Sequence, residues 1–87
     1  MNNTGNENKT QIVHNEDLEG YYEVVVPIVN VKKDPGTGKR NETVMTLMKT
    51  QVVTCNGDYC YSEGSKWYLI EFDGKSGFVN ESKIKTL

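Results

Sequence analysis

Residues Trp67-Tyr68-Leu69-Ile70-Glu71-Phe72, Asp73-Gly74 and Lys75-Ser76-Gly77-Phe78-Val79-Asn80 read as two β-prone runs joined by a two-residue turn. Asp-Gly suits a type I′ turn, because both residues tolerate the positive φ angles that turn needs. The turn sets a register in which Phe72 faces Lys75, Ile70 faces Gly77, Leu69 faces Phe78 and Tyr68 faces Val79. Side chains alternate across a strand, so Tyr68, Ile70, Phe72, Gly77 and Val79 share one face and Trp67, Leu69, Glu71, Ser76, Phe78 and Asn80 the other. The first face is assigned to the core, with Tyr68, Ile70 and Val79 buried and Gly77 permitting close approach. Trp67 and Phe78 are then expected nearer the surface.

Upstream, the same grammar continues back to Tyr21. Tyr21 to Val31 is Val-rich, with Pro27 marking a bend because it cannot donate to a ladder. Asp34-Pro35-Gly36-Thr37-Gly38 is loop chemistry. Val44 to Val53 is a second β region with a break near Lys49–Thr50. No apolar stripe of helical period runs for three turns. The expectation is an all-β domain of about five to seven short antiparallel strands over residues 21–87. The Val24-Val25-Val26 run near Tyr21 is a candidate exposed edge, unless it is paired within the domain. Residues 1–20 are dominated by Asn, Thr, Glu and Gln and are expected to be a flexible polar lead-in. His14, the sole histidine, falls there and is read as a solvated residue rather than a catalytic base.

The chain has 87 residues, 36% of them hydrophobic, which bounds it to one small domain. No apolar run approaches the roughly 20 residues of a membrane span, so no membrane insertion is expected. Residues 1–11 lack the basic start and apolar stretch of an export signal. The protein is therefore expected in the cytoplasm if the chain is complete, and at the cell surface or outside the cell if it is part of a larger secreted protein. The net charge of −2 is uneven: residues 1–20 hold four acids and one lysine, and the remainder is nearly neutral. Lys32, Lys33, Lys39 and Arg40 are the main basic cluster, too few to neutralise a run of phosphates, so nucleic acid is not an expected partner.

Two segments together resemble the bacterial SH3 (SH3b) family, which carries a Leu-Asn-Val-Arg-x-x-Pro segment near its start and a Trp-Tyr-x-Val...Asn-Gly-x-x-Gly-Trp-Val segment near its end. The first reads Val29-Asn30-Val31-Lys32-Lys33-Asp34-Pro35-Gly36 here, and the second is Trp67 to Val79. The similarity covers about residues 22–87, with Val44-Met45-Thr46-Leu47 where the family has its third apolar strand. Lys32 replaces the usual Arg, Phe78 the usual Trp, and Thr50 a common Gly; the connection from Val53 to Trp67 also looks longer than usual. The resemblance implies a small SH3-like barrel acting as a non-catalytic module that holds peptidoglycan peptides of bacterial cell wall. SH3-like barrels also serve as protein-protein adaptors or inhibitors, so the same face is open to a protein partner.

Asn30, Lys32, Tyr59, Tyr61, Trp67 and Phe78 are the candidate ligand contacts. Tyr59, Tyr61 and Trp67 fall around one long connection and supply aromatic surface. Asn30 and Lys32 project opposite to Val29 and Val31. Cys55 and Cys60 flank Asn56-Gly57-Asp58-Tyr59, a spacing that fits neither a thioredoxin-type site nor a zinc pair. If Asn56-Gly57 is a two-residue turn, the sulfurs do not meet; if the loop has four residues, Cys55 faces Cys60 within disulfide reach. Both registers stay open, with two reduced thiols as the alternative to a bridge. Sequons at Asn2, Asn8, Asn41 and Asn80 follow from the high Asn and Thr content. No nucleophile-base pair, metal-ligand spacing or phosphate loop is present in the sequence, so no catalysis, metal or cofactor is expected.

Overall fold

Asp73 and Gly74 have φ of 54° and 79°, the pair of positive angles that a type I′ turn requires. The hairpin they close pairs Phe72 with Lys75, Ile70 with Gly77, Leu69 with Phe78 and Tyr68 with Val79. The computed structural model describes residues 11–87. Its strands are β1 (Val13–His14), β2 (Gly20–Val24), β3 (Ile28–Lys32), β4 (Thr43–Met48), β5 (Val52–Ser62), β6 (Ser65–Phe72), β7 (Lys75–Asn80) and β8 (Ile84–Thr86). They form one antiparallel sheet in the order β4-β3-β7-β6-β5-β2-β8, and β1 adds to β5.

That order makes a small, all-β, barrel-like fold. The β5-β6-β7 meander forms the centre, and β2 and β8 extend it past β5. The β3-β4 hairpin, inserted between β2 and β5, folds over to pair with β7. A 3-10 turn at Glu81–Lys83 links β7 to β8, and the Asn80 side chain caps it by accepting the Ser82 N–H. Pro27 sits in the bend between β2 and β3, as its missing N–H demands.

The inward face of this sheet buries Tyr22, Val24, Val29, Val31, Leu47, Val53, Tyr68, Ile70, Val79 and Ile84 together. Small β-branched side chains dominate because a barrel this narrow leaves little volume per layer. Gly77 shows how tight it is: a Cβ there would lie 2.7 Å from the Lys32 carbonyl and from methyls of Val31 and Val44. β3 can cross β7 so closely only because residue 77 has no side chain.

Two expectations change, and the open alternative for the Val24 run is decided. The Val24-rich run is not an open edge, since β2 is paired to β5 on one side and β8 on the other. Trp67 and Phe78 are not near the surface: they are 6% and 7% exposed and form a second buried cluster with Cys60, with Leu69 packed against it. The curled sheet and the connections crossing it give both faces of β6-β7 something to pack against. Strands β2 to β8 number seven, within the five to seven expected for residues 21–87. An eighth strand, β1, belongs to the expected flexible lead-in, where residues 13–20 instead hold β1 paired to β5, a 3-10 turn at Glu16–Leu18 and the start of β2. Residues 1–10 of that expected lead-in lie outside the described residues.

Candidate functional site

Directly paired residues on antiparallel strands share a face, so the pairing locates each candidate. Lys32 pairs with Phe78, Phe78 with Leu69, Trp67 with Asn80, and Cys60 with Trp67. Asn30 lies two residues before Lys32 on β3, so Asn30, Lys32, Phe78 and Trp67 all project from the outer face. Tyr59 pairs with Tyr68 and Tyr61 with Lys66, which puts both tyrosines on the opposite side. The six candidates are therefore split between two surfaces.

On the outer face, exposure falls to the polar members and the loop beside them. Asn30 accepts a hydrogen bond from Thr46 Oγ1 at 2.8 Å. Lys32 Nζ donates to the Asn41 carbonyl and to Thr43 Oγ1 at 3.0 Å, bridging the ends of the connection between β3 and β4. That connection, residues 33–42, is braced across its waist by Asn41. The Asn41 Nδ2 group donates to the carbonyls of Asp34 and Gly36, and its Oδ1 accepts the Asp34 N–H. The sequon asparagines Asn41 and Asn80 are thus spent on loop and cap geometry; Asn2 and Asn8 lie outside the described residues.

The tip of the loop is fastened to the β5-β6 turn. Glu63 accepts the Thr37 N–H at 3.0 Å and the Thr37 hydroxyl at 3.1 Å. Gly36 is buried against the same turn, where a Cβ would come within 3.1 Å of the Glu63 carboxylate. Beneath, Trp67 Nε1–H donates to the Ser62 carbonyl at 3.1 Å, holding the turn from the inside. Lys33, Lys39 and Arg40 stay exposed, and among the described residues none of them forms a salt bridge.

The turn itself explains the seemingly long connection from Val53 to Trp67. It is not a loop: β5 runs unbroken to Ser62, and Glu63 and Gly64, with φ of 56° and 76°, close a two-residue hairpin. Glu is a poor residue for that conformation, so the sequence carries no Asn-Gly or Asp-Gly signal there.

The extra length of β5 is absorbed by a bulge. Cys55 pairs with Ile70 and Tyr59 with Tyr68, so three residues of β5 sit opposite Leu69 alone. The cysteines are an odd number of residues apart and the bulge adds an even number, so they point to opposite faces: Cys55 joins the main core and Cys60 the Trp67 cluster. Neither register considered for a Cys55–Cys60 bridge is realised, and both are free thiols. Burial raises the pKa of each, which keeps them protonated and unreactive near neutrality.

On the opposite side, Tyr59 and Tyr61 meet edge to face with centroids 5.7 Å apart. Lys66 Nζ lies 4.9 Å from the Tyr59 centroid and 5.9 Å from that of Tyr68. Tyr59 is half-buried, and Tyr61 is 61% exposed. Two shallow open grooves of about 280 and 290 Å³ occur elsewhere, one beside Leu69 and Glu71 and one beside Phe72 and Gln51, and neither is lined by any of the six candidates. His14 is exposed and bonded to Asp58 rather than solvated freely.

No protein-family model matches the chain, and no curated protein or solved structure matches it either.

Proposed function

We propose that the chain is a non-catalytic binding module of the bacterial SH3 type that holds an extended peptide of bacterial cell wall. The peptide would lie along the junction of the 33–42 loop with the Glu63–Gly64 turn. The observation that carries this reading is the fastening of Thr37 by Glu63, together with the Asn41 brace. A ten-residue connection left loose would have to be ordered on binding, at a cost of about 0.5–1.5 kcal/mol per immobilised side chain. Here the loop is already ordered by contacts that involve no ligand. Its exposed Lys33, Lys39 and Arg40 supply cations for the carboxylates of such a peptide.

Within this reading Trp67 and Phe78 support the site from below rather than touch ligand, and Asn30 and Lys32 fix β3 against β4. Fold-dependent, saturable retention on insoluble peptidoglycan tests the proposal, and loss of retention on reversing the three loop cations tests its location.

A second reading, a protein-protein adaptor or inhibitor, is favoured by the Tyr59-Tyr61-Lys66 surface. An exposed tyrosine such as Tyr61, backed by a second ring and a flanking cation, is a typical anchor of protein interfaces. Recovery of one stoichiometric protein partner, lost in Tyr61→Ala but kept when the loop cations are reversed, would decide for it.

A further inference from the structure

The segment before β2 carries chemistry that the binding site does not use. Val13 pairs with Tyr59 and His14 with Asp58, continuing along the same edge of β5 that β2 occupies further on. The Asn15 N–H donates to the Gly57 carbonyl at 2.9 Å, and the Leu18 N–H closes back on the Asn15 carbonyl. At its far end the Tyr22 hydroxyl donates to the Leu18 carbonyl at 2.8 Å. The seat is shaped for this segment: Gly57 has φ of 101°, and a Cβ there would meet the Asn15 carbonyl at 2.7 Å and the His14 ring at 2.9 Å.

We propose that residues 13–19 are a strap latched over the β5 bulge by the charge of His14 against ionised Asp58, so that the strap loosens as rising pH removes that charge. His14 Nδ1–H donates to Asp58 Oδ1 at 2.8 Å, while Nε2 faces Glu19 Oε2 at 3.8 Å. The pairing of His14 opposite Asp58 puts both side chains on one side of the ladder, so the contact follows from the backbone register.

The charged groups around the imidazole are all acidic: Asp58 from β5, and Glu19 and Glu16 from the strap itself. From β2, Tyr22 is already committed to Leu18. The bond to Asp58 is the largest influence and raises the His14 pKa; desolvation opposes it, and the charges of Asp58, Glu19 and Glu16 add to the rise. A group whose pKa is raised by folding contributes fully below its unfolded value, near 6.5, and loses the contribution as pH climbs through the raised folded value. The neutral ring keeps a weaker bond to Asp58, so the latch slackens rather than vanishes. Loosening leaves the backbone groups of β5 at Asp58 and Tyr59 unpaired along an open edge.

Amide hydrogen exchange of the full chain, corrected for intrinsic rates, tests this. From about pH 6 to about pH 9 the protection of Asn15 should fall several-fold, while amides of β6 keep theirs. In His14→Gln, and separately in Asp58→Asn, Asn15 protection should be low and flat across that range. Constant protection in the wild-type chain would overturn the proposal. So would a fall that persists in both variants, or an equal fall in β6, which would mark a change of the whole fold.

Discussion

The carboxylate of Glu63 accepts both the backbone N–H and the hydroxyl of Thr37, 26 residues earlier in the chain. One exposed side chain thereby joins the β3-β4 connection to the β5-β6 turn, and the proposed peptide site is the junction it makes.

Replacing Glu63 by Ala should cost about 1 kcal/mol of global stability, since the bonds it makes are solvent-accessible. The local effect should be larger. Thr37 should lose its hydrogen-exchange protection, and the 33–42 loop should sharpen in NMR spectra as it becomes mobile, while amides of β6 and β7 stay protected.

Thr50 has φ of 80° in the turn between β4 and β5, a conformation that a β-branched residue adopts only under strain. Its N–H donates to the Val24 carbonyl, so the turn is held by the fold rather than chosen by Thr50. Thr50→Gly should raise stability by about 1 kcal/mol in urea titration, the relief of strain outweighing the entropy of an added glycine.

Gly77→Ala should destabilise by about 2–3 kcal/mol, because a methyl group would press on the Lys32 carbonyl and two valine methyls at once. Trp67→Ala should cost about 3–5 kcal/mol and unfold much of the protein, which makes it unsuitable as a test of ligand contact. Thermal unfolding of the two variants checks both values.

Cys55 and Cys60 should react with a thiol reagent only as fast as the protein opens, and a reducing agent should leave the melting temperature unchanged. A melting temperature lowered by reductant would mean that the two sulfurs are bonded.

What the sequence made legible was local. Asp73-Gly74 fixed a register that holds across the whole β6-β7 hairpin, and Pro27 and the Lys49–Thr50 break fell where the strands stop. The site was harder to read, for three physical reasons. Trp67 and Phe78 alternate with core residues, and strand periodicity does not reveal that a second layer covers the other face. The Cys55–Tyr59 bulge shifts the pairing of every later residue of β5 by two, which sets Tyr59 opposite Tyr68 and lets the strand run on to Ser62, and no turn signal in the sequence marks it. Glu63 and Thr37 are ordinary polar residues in the sequence, and only the fold brings them together. His14 is a similar case, since its partner Asp58 lies 44 residues away.

The most direct test of the proposed function is to titrate isotopically labelled protein with soluble peptidoglycan fragments and map the NMR shift changes onto the chain. Saturable changes centred on Lys33, Thr37, Lys39, Arg40 and Glu63 are the predicted result. Changes confined to Tyr59, Tyr61 and Lys66, or none at saturating fragment, would contradict the account.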